Sequence, residues 1–343
     1  MIYDCFSFFN ELDILEIRLN VLKDVVDRFV LVEAVKTHSG QPKKLYFEEN
    51  KDRYKPFLDK IIHVIVDDEP HLPEKCPKLT AAWAYENHQR NAIVRGLAGI
   101  GADDVLLISD LDEIPNPKKV EEYATRIENR VMVFEQIPMS YFLNFRSMEC
   151  ATWRGTKMLK WRTFNEEGIY AGMGRGMAAP EFANVGPTAT KVRFCKADVS
   201  IKDGGWHFGY YGGAEMVRYK MASIADNTEY KDAKTDIPVI EKRIKDGKNA
   251  NGRALSKLYP VPIDDSFPEY IRRNRDKYAN GILKCDRVPL KTKIECRLVR
   301  CAAGIVNFCA GKIPSWLKPA VYAIYSRLVK NPVPLLKNQL KDS

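Results

Sequence analysis

Asp110-Leu-Asp112-Glu113 is the charge pattern best placed to do chemistry. It directly follows the apolar run Val105-Leu-Leu-Ile108 and precedes Ile114-Pro115. On an extended segment residues i and i+2 face one side, so Asp110 and Asp112 would present two carboxylates together. Paired carboxylates repel unless a counter-charge sits between them, and a divalent cation holding a diphosphate supplies one. Oxygen donors of this kind suit Mg²⁺ or Mn²⁺. The plain alternative is a solvated acidic turn ahead of a proline.

Other residues are expected at the same edge. Glu33 ends an apolar run, where its carboxylate could accept hydrogen bonds from a base or ribose hydroxyl. His38 lies in the polar turn Thr37-His-Ser-Gly40 just beyond it. Arg90 falls on a helical segment leading to the acidic strand, where it could pair with the carboxylates or a phosphate. A surface ion pair fits that spacing equally well. His207 sits in the aromatic, glycine-rich stretch Gly204–Gly213. A neutral imidazole there is a competent metal ligand, and the glycines let the backbone approach a ligand closely. The bland counterpart is a hydrogen-bonded core histidine.

The elements that must position these residues alternate. Residues 1–8 read as a strand and Glu11–Leu22 as an amphipathic helix with Leu12, Leu15, Leu19 and Leu22 on one face. Further strands are expected over 27–34, 60–68 and 103–110, with helices over 80–97 and 117–129. Short continuous apolar strands imply a largely parallel sheet covered on both faces, an α/β Rossmann-like pattern. Ligands bind such sheets beyond the carboxyl ends of the strands. The second half is less regular: strands over 131–145 and 156–164, a loop over 171–186, and helices over 213–225 and 237–246. A segment from Tyr270 to Ile282 completes the body.

Composition narrows the classes. The chain has 343 residues, 45% hydrophobic and 29% charged, which excludes collagen, coiled coil and wholesale disorder. No apolar stretch reaches the roughly 20 residues a bilayer crossing needs. The start, Met1-Ile-Tyr-Asp-Cys-Phe, lacks the features of a signal peptide, so a cytoplasmic address is expected. None of the eight cysteines forms a Cys-x-x-Cys pair, favouring idle thiols over zinc ligands. Residues 284–343 hold 12 Lys and Arg against three Asp and Glu, which accounts for the whole net charge of +9. A neutral body with a basic tail does not suit nucleic acid. Over 294–330 basic residues interleave with apolar and aromatic ones, as in a helix lying on an anionic membrane surface. A helical appendage packed on the body is the alternative.

At these residues the chain resembles glycosyltransferase family 17. The segments that carry the resemblance are Met1-Ile-Tyr-Asp-Cys-Phe-Ser-Phe-Phe-Asn-Glu-Leu12, Leu31-Val-Glu-Ala34 with Thr37-His-Ser-Gly40, Gln89-Arg-Asn91, Ser109-Asp-Leu-Asp-Glu-Ile-Pro115 and Gly205-Trp-His-Phe208. The resemblance implies a GT-A-type catalytic domain over 1–283 with a mostly parallel central sheet, followed by a basic helical extension over 284–343. It implies an inverting transferase with a UDP-sugar donor, UDP-GlcNAc first, and Mn²⁺ or Mg²⁺. Asp110 and Asp112 would hold metal and diphosphate, Glu33 would lie in the nucleotide pocket, and His207 would be the last metal ligand. A glycan or lipid-linked acceptor is expected. Glu215 is the first candidate for the base that takes the acceptor's proton, with Asp203 and Glu135 as alternatives. A metal-dependent phosphohydrolase and a non-catalytic glycan-binding scaffold are the rival readings.

Overall fold

Unbroken apolar runs between short polar breaks build alternating strands and helices, and the computed structural model shows them close to where the pattern places them. It describes residues 1–72, 78–166, 188–223, 236–250 and 257–310. In chain order come β1 (Ile2–Phe8), α1 (Leu12–Leu22), β2 (Arg28–Ala34), α2 (Tyr46–Glu49), β3 (Ile61–Val66), α3 (Lys78–Asn91), β4 (Val105–Asp110), β5 (Glu113–Pro115) and α4 (Pro117–Ala124). They are followed by β6 (Met132–Ser140), β7 (Phe145–Ser147), β8 (Trp153–Lys160), α5 (Trp161–Phe164), α6 (Ala189–Phe194) and β9 (Val199–Gly209). The last are α7 (Ala214–Ser223), α8 (Ile237–Lys245), β10 (Leu258–Pro260), α9 (Glu269–Arg273) and α10 (Leu290–Ala310).

These elements fall into two units. The first holds the described residues of Met1–Gln136, Arg154–His207 and Ala222–Lys231, and the second those of Ile137–Trp153, Phe208–Met221 and Asp232–Ser343.

In the first unit the strands run β3-β2-β1-β4-β8-β6, and β9 pairs with both β6 and β5. β1 is parallel to β2 and β4, and β2 to β3. The register sets Phe8 against Glu33 and Ser7 against Asp110, so the carboxyl ends of β1, β2 and β4 form one edge. β8 runs antiparallel to β4, and β9 antiparallel to β5. The sheet is therefore mixed, and the expectation of a mostly parallel one is met only by β1–β4. Those parallel strands include the chain's unbroken apolar runs, such as Val30-Leu-Val32 and Leu106-Leu-Ile108, each fully buried. The antiparallel strands carry glycine and polar residues that mask a periodic signal. The core between strands and helices includes Val30, Val32, Ile93, Leu106, Ile108 and Leu159.

Several boundaries differ from expectation: the strand expected over 131–145 ends at Ser140, and the α-helix expected over 80–97 ends at Asn91. The strand expected over 156–164 stops at Lys160, where Trp161–Phe164 turns helical and the Trp161 and Phe164 rings stack at 4.9 Å. α4 begins where Asn116 accepts the Lys118 N–H at 3.1 Å and Pro117 takes the first helical position, but ends at Ala124. The loop expected over 171–186 lies outside the described residues, as does the tail beyond residue 310.

In the second unit β7 and β10 pair antiparallel, and Met139 pairs with Arg146. Tyr141, Phe145, Val217, Ile240, Leu258 and Leu283 share its core. Glu149 accepts the Lys257 N–H at 2.6 Å, and burial pushes its carboxyl up to about 7. A carboxyl raised by folding binds its proton more tightly in the folded chain. Its contribution is complete below about pH 4.5 and is lost as pH rises through 7. Between pH 5 and 8 the native protein should thus lose about 2 kcal/mol more stability than Glu149→Gln, read by urea denaturation. Equal losses would show that this carboxyl ionises in the fold without cost.

Candidate active site

Two charged residues occupy positions where apolar ones belong. Asp4 lies within β1 and Arg18 on the buried side of α1, and both are fully buried. Arg18 Nε and Nη2 donate to the two Asp4 oxygens at 2.8 and 2.6 Å, and Nη2 also donates to Ser109 Oγ at 2.6 Å. Nη1 donates to the carbonyls of Asp110, Leu111 and Glu113 at 3.1, 2.9 and 3.0 Å. The guanidinium also lies 4.6 Å from the centroid of the Phe6 ring. Between β4 and β5 the chain turns at Leu111–Asp112. Carbonyls buried in such a turn need donors, and Arg18 provides them.

Because of that turn, Asp110 and Asp112 do not share an extended segment. The Asp110 side chain is 39% exposed and that of Asp112 10%. Arg90, from α3, donates to Asp110 Oδ1 at 3.0 Å, and Arg193, from α6, reaches Oδ2 at 3.3 Å. Arg193 also grips fully buried Glu113 through both oxygens, with Nη1 to Oε2 at 2.9 Å. Glu113 Oε2 in turn accepts the Asp110 N–H at 3.2 Å. A Cβ at Gly155 would press on the buried side-chain ends of Gln136 and Glu113, which would have to shift to admit it.

β9 brings the histidine to the turn. Its register sets Glu113 against His207, Ile114 against Trp206 and Pro115 against Gly205. Gly205 has φ +125°, and a Cβ on it would stand 2.2 Å from the Ile114 carbonyl oxygen, so only glycine fits. His207 Nε2 then lies 3.6 Å from Asp112 Oδ1. Of the expected site residues, Asp110, Asp112, Arg90 and His207 therefore gather at one turn.

His38 joins them at one remove. Its Nε2 meets Gln89 Oε1 at 3.1 Å, and its Nδ1 lies 3.5 Å from Glu86, which accepts from Arg90 at 2.8 Å. Burial lowers the His38 pKa, which favours the neutral ring. Gln89 ties β1 to β2 by donating to the carbonyls of Phe8 and Val32 at 3.2 and 3.1 Å. Beside it, at the carboxyl ends of β2 and β3, a small cleft is lined by Ala34, Lys36, Val66, Asp68, Tyr85 and Gln89 among others.

Glu33 is not part of that lining. It is fully buried, with Lys43 Nζ at 3.2 Å, His63 Nε2 at 3.2 Å and the Phe47 N–H at 3.3 Å. Its carboxylate is used inside the fold, which displaces the expectation that it greets a base or ribose. The expected bases are scattered. Glu135 pairs with Lys202 at 2.6 Å. Asp203 is exposed with a left-handed φ of 51°, and its carbonyl accepts from Asn116 at 3.0 Å. Glu215 is exposed in the first turn of α7, in the second unit.

The donors at the turn suit a divalent cation in kind. Asp112 and His207 offer an oxygen and a nitrogen close together, and Asp110 adds a half-exposed carboxylate. Among the described residues no three His, Cys, Asp or Glu are grouped so that they could hold a metal ion.

Arg18, Arg193, Glu86 and Glu113 have no assigned role in the sequence reading. Arg18 had a signal: a charge next to Leu15 and Leu19 on an apolar helix face. Arg193 had none, since it stands in the basic run Lys191–Lys196.

Residues 1–171 match the family model of Glycosyltransferase family 17. The chain is 32% identical over 112 residues to the "Beta-1,4-mannosyl-glycoprotein 4-beta-N-acetylglucosaminyltransferase" of Homo sapiens, and likewise to the protein of that name from Rattus norvegicus. Each match covers 31% of this chain and 20% of the relative, so the chain spans about a fifth of the length of these curated relatives.

Replacing Arg18 by Met, of similar length, would leave Asp4 buried without its partner and three carbonyls without donors. The expected cost is about 3–5 kcal/mol in chemical denaturation. A loss below about 1 kcal/mol would mean that the turn does not depend on this guanidinium.

Proposed function

We propose that this chain, which belongs to glycosyltransferase family 17, transfers N-acetylglucosamine from UDP-GlcNAc to a hydroxyl of a glycan or lipid-linked acceptor, with inversion at the anomeric carbon. The observation that carries the reading is the acid turn at the carboxyl end of β4, with His207 opposite Asp112 and two arginines on Asp110. Parallel strands β1–β4 with that turn at their carboxyl edge suit the nucleotide-binding half of a GT-A fold. The nucleoside would lie beyond the carboxyl ends of these parallel strands.

Asp112 and His207, with Asp110, would hold Mn²⁺ or Mg²⁺, which when bound draws charge from the diphosphate leaving group. Arg90 and Arg193 offset the charges of Asp110 and Glu113, so a diphosphate does not meet bare carboxylates. Neutral His38 adds no charge to the site. The acceptor hydroxyl attacks from the face opposite the nucleotide, and a carboxylate takes its proton. Glu215 is our choice for that base. A cytoplasmic setting would give the enzyme access to both the donor and lipid-linked acceptors.

With Mn²⁺ present, Asp112→Asn should lower UDP-GlcNAc turnover at least about tenfold. Glu215→Gln should lower transfer roughly 100-fold while leaving UDP binding unchanged. Undiminished turnover in Asp112→Asn would remove the metal assignment, and near-normal transfer in Glu215→Gln would remove that base. UDP-GlcNAc hydrolysis indifferent to every acceptor offered would favour a phosphohydrolase instead.

A further inference from the structure

α10 has two unlike faces. Thr292, Cys296 and Val299 are buried, and Arg300 Nε donates to the Met148 carbonyl at 2.9 Å. That face is held by the helix's own unit. On the other side Leu290, Ile294 and Leu298 are 73%, 50% and 58% exposed, and Cys301 is exposed beside them. A spacing of four residues places the three on one stripe of the helix. Single exposed leucines need no explanation, but aligned ones mark a contact surface. Exposed Lys291, Lys293 and Arg297 flank the stripe on both sides.

We propose that this face of α10 lies along an anionic membrane surface, with Leu290, Ile294 and Leu298 dipping below the headgroups and Lys291, Lys293 and Arg297 meeting lipid phosphates. The charge chooses this occupant. Residues 284–310 hold six Lys and Arg against two Asp and Glu, and residues 311–343 six against one. A surface rich in anionic lipid attracts such a segment. A second copy of the same helix would set like charges against each other. α10 is not long and apolar enough to cross a membrane, and one fixed face with one apolar stripe suits a helix lying in the plane. The proposal concerns the second unit alone and stands whether or not the first unit transfers a sugar.

The test is co-sedimentation of the full chain with vesicles of phosphatidylcholine alone or with roughly one third phosphatidylglycerol. The native protein should bind the anionic vesicles at least about tenfold more tightly than the neutral ones, and less tightly as salt rises. A triple variant, Leu290→Ser with Ile294→Ser and Leu298→Ser, should lose about tenfold or more. A charge-reversed one, Lys291→Glu with Lys293→Glu and Arg297→Glu, should lose as much. All the altered side chains are exposed, so unchanged melting temperatures would show both variants folded. No binding to anionic vesicles, equal binding to neutral ones, or binding indifferent to the serine variant would overturn the proposal. So would a native dimer that the serine variant converts to monomer, since a second copy would then cover the stripe.

Discussion

The acid turn exists in its observed form because one buried guanidinium holds it. Arg18 spends its donors on the Asp4 carboxylate, the Ser109 hydroxyl and three carbonyls of residues 110–113. A buried charge is tolerable only when it is paired and its hydrogen bonds are filled. Asp4 supplies the pairing and the turn supplies the acceptors, so neither can move without exposing the other. β1, α1 and the end of β4 are thereby joined at the point where ligands enter a parallel sheet.

Around that anchor the charges alternate. Glu86, Arg90, Asp110, Arg193 and Glu113 form a continuous chain of opposite neighbours, reaching His38 at one end. Asp112, facing His207, stands beside this chain. The geometry thus separates two carboxylates that look equivalent in the sequence: Asp110 is balanced by arginines, and Asp112 is set against an imidazole. The proposed cation would lie between Asp112 and His207.

Much of this site was legible before any coordinates. Asp110, Asp112, Arg90 and His207 do meet, because the apolar runs of β1, β2 and β4 set the carboxyl edge that the acid motif must follow. The assumed extended geometry of the motif was wrong, since a turn at Leu111–Asp112 leaves no periodic mark. β9 was also hidden, because glycines and aromatics in its second half resemble a loop, and its pairing with β5 depends on the bare backbone at Gly205. Glu33 misled for a different reason. Its position at the end of β2 was as expected, but partners distant in sequence, Lys43 and His63, turn its carboxylate inward. Long-range ion pairs of this kind are invisible to local patterns.

The second unit has another logic, in which α10 is fixed on one face and bare on the other. Calorimetric titration of UDP-GlcNAc with Mn²⁺ tests the Arg18 anchor directly. Native protein should bind the donor, and Arg18→Lys, which keeps the charge but lacks the fork of donors, should bind roughly tenfold or more weakly at a temperature where both are folded. Equal affinity in the two proteins, or no binding by the native one, would contradict the account.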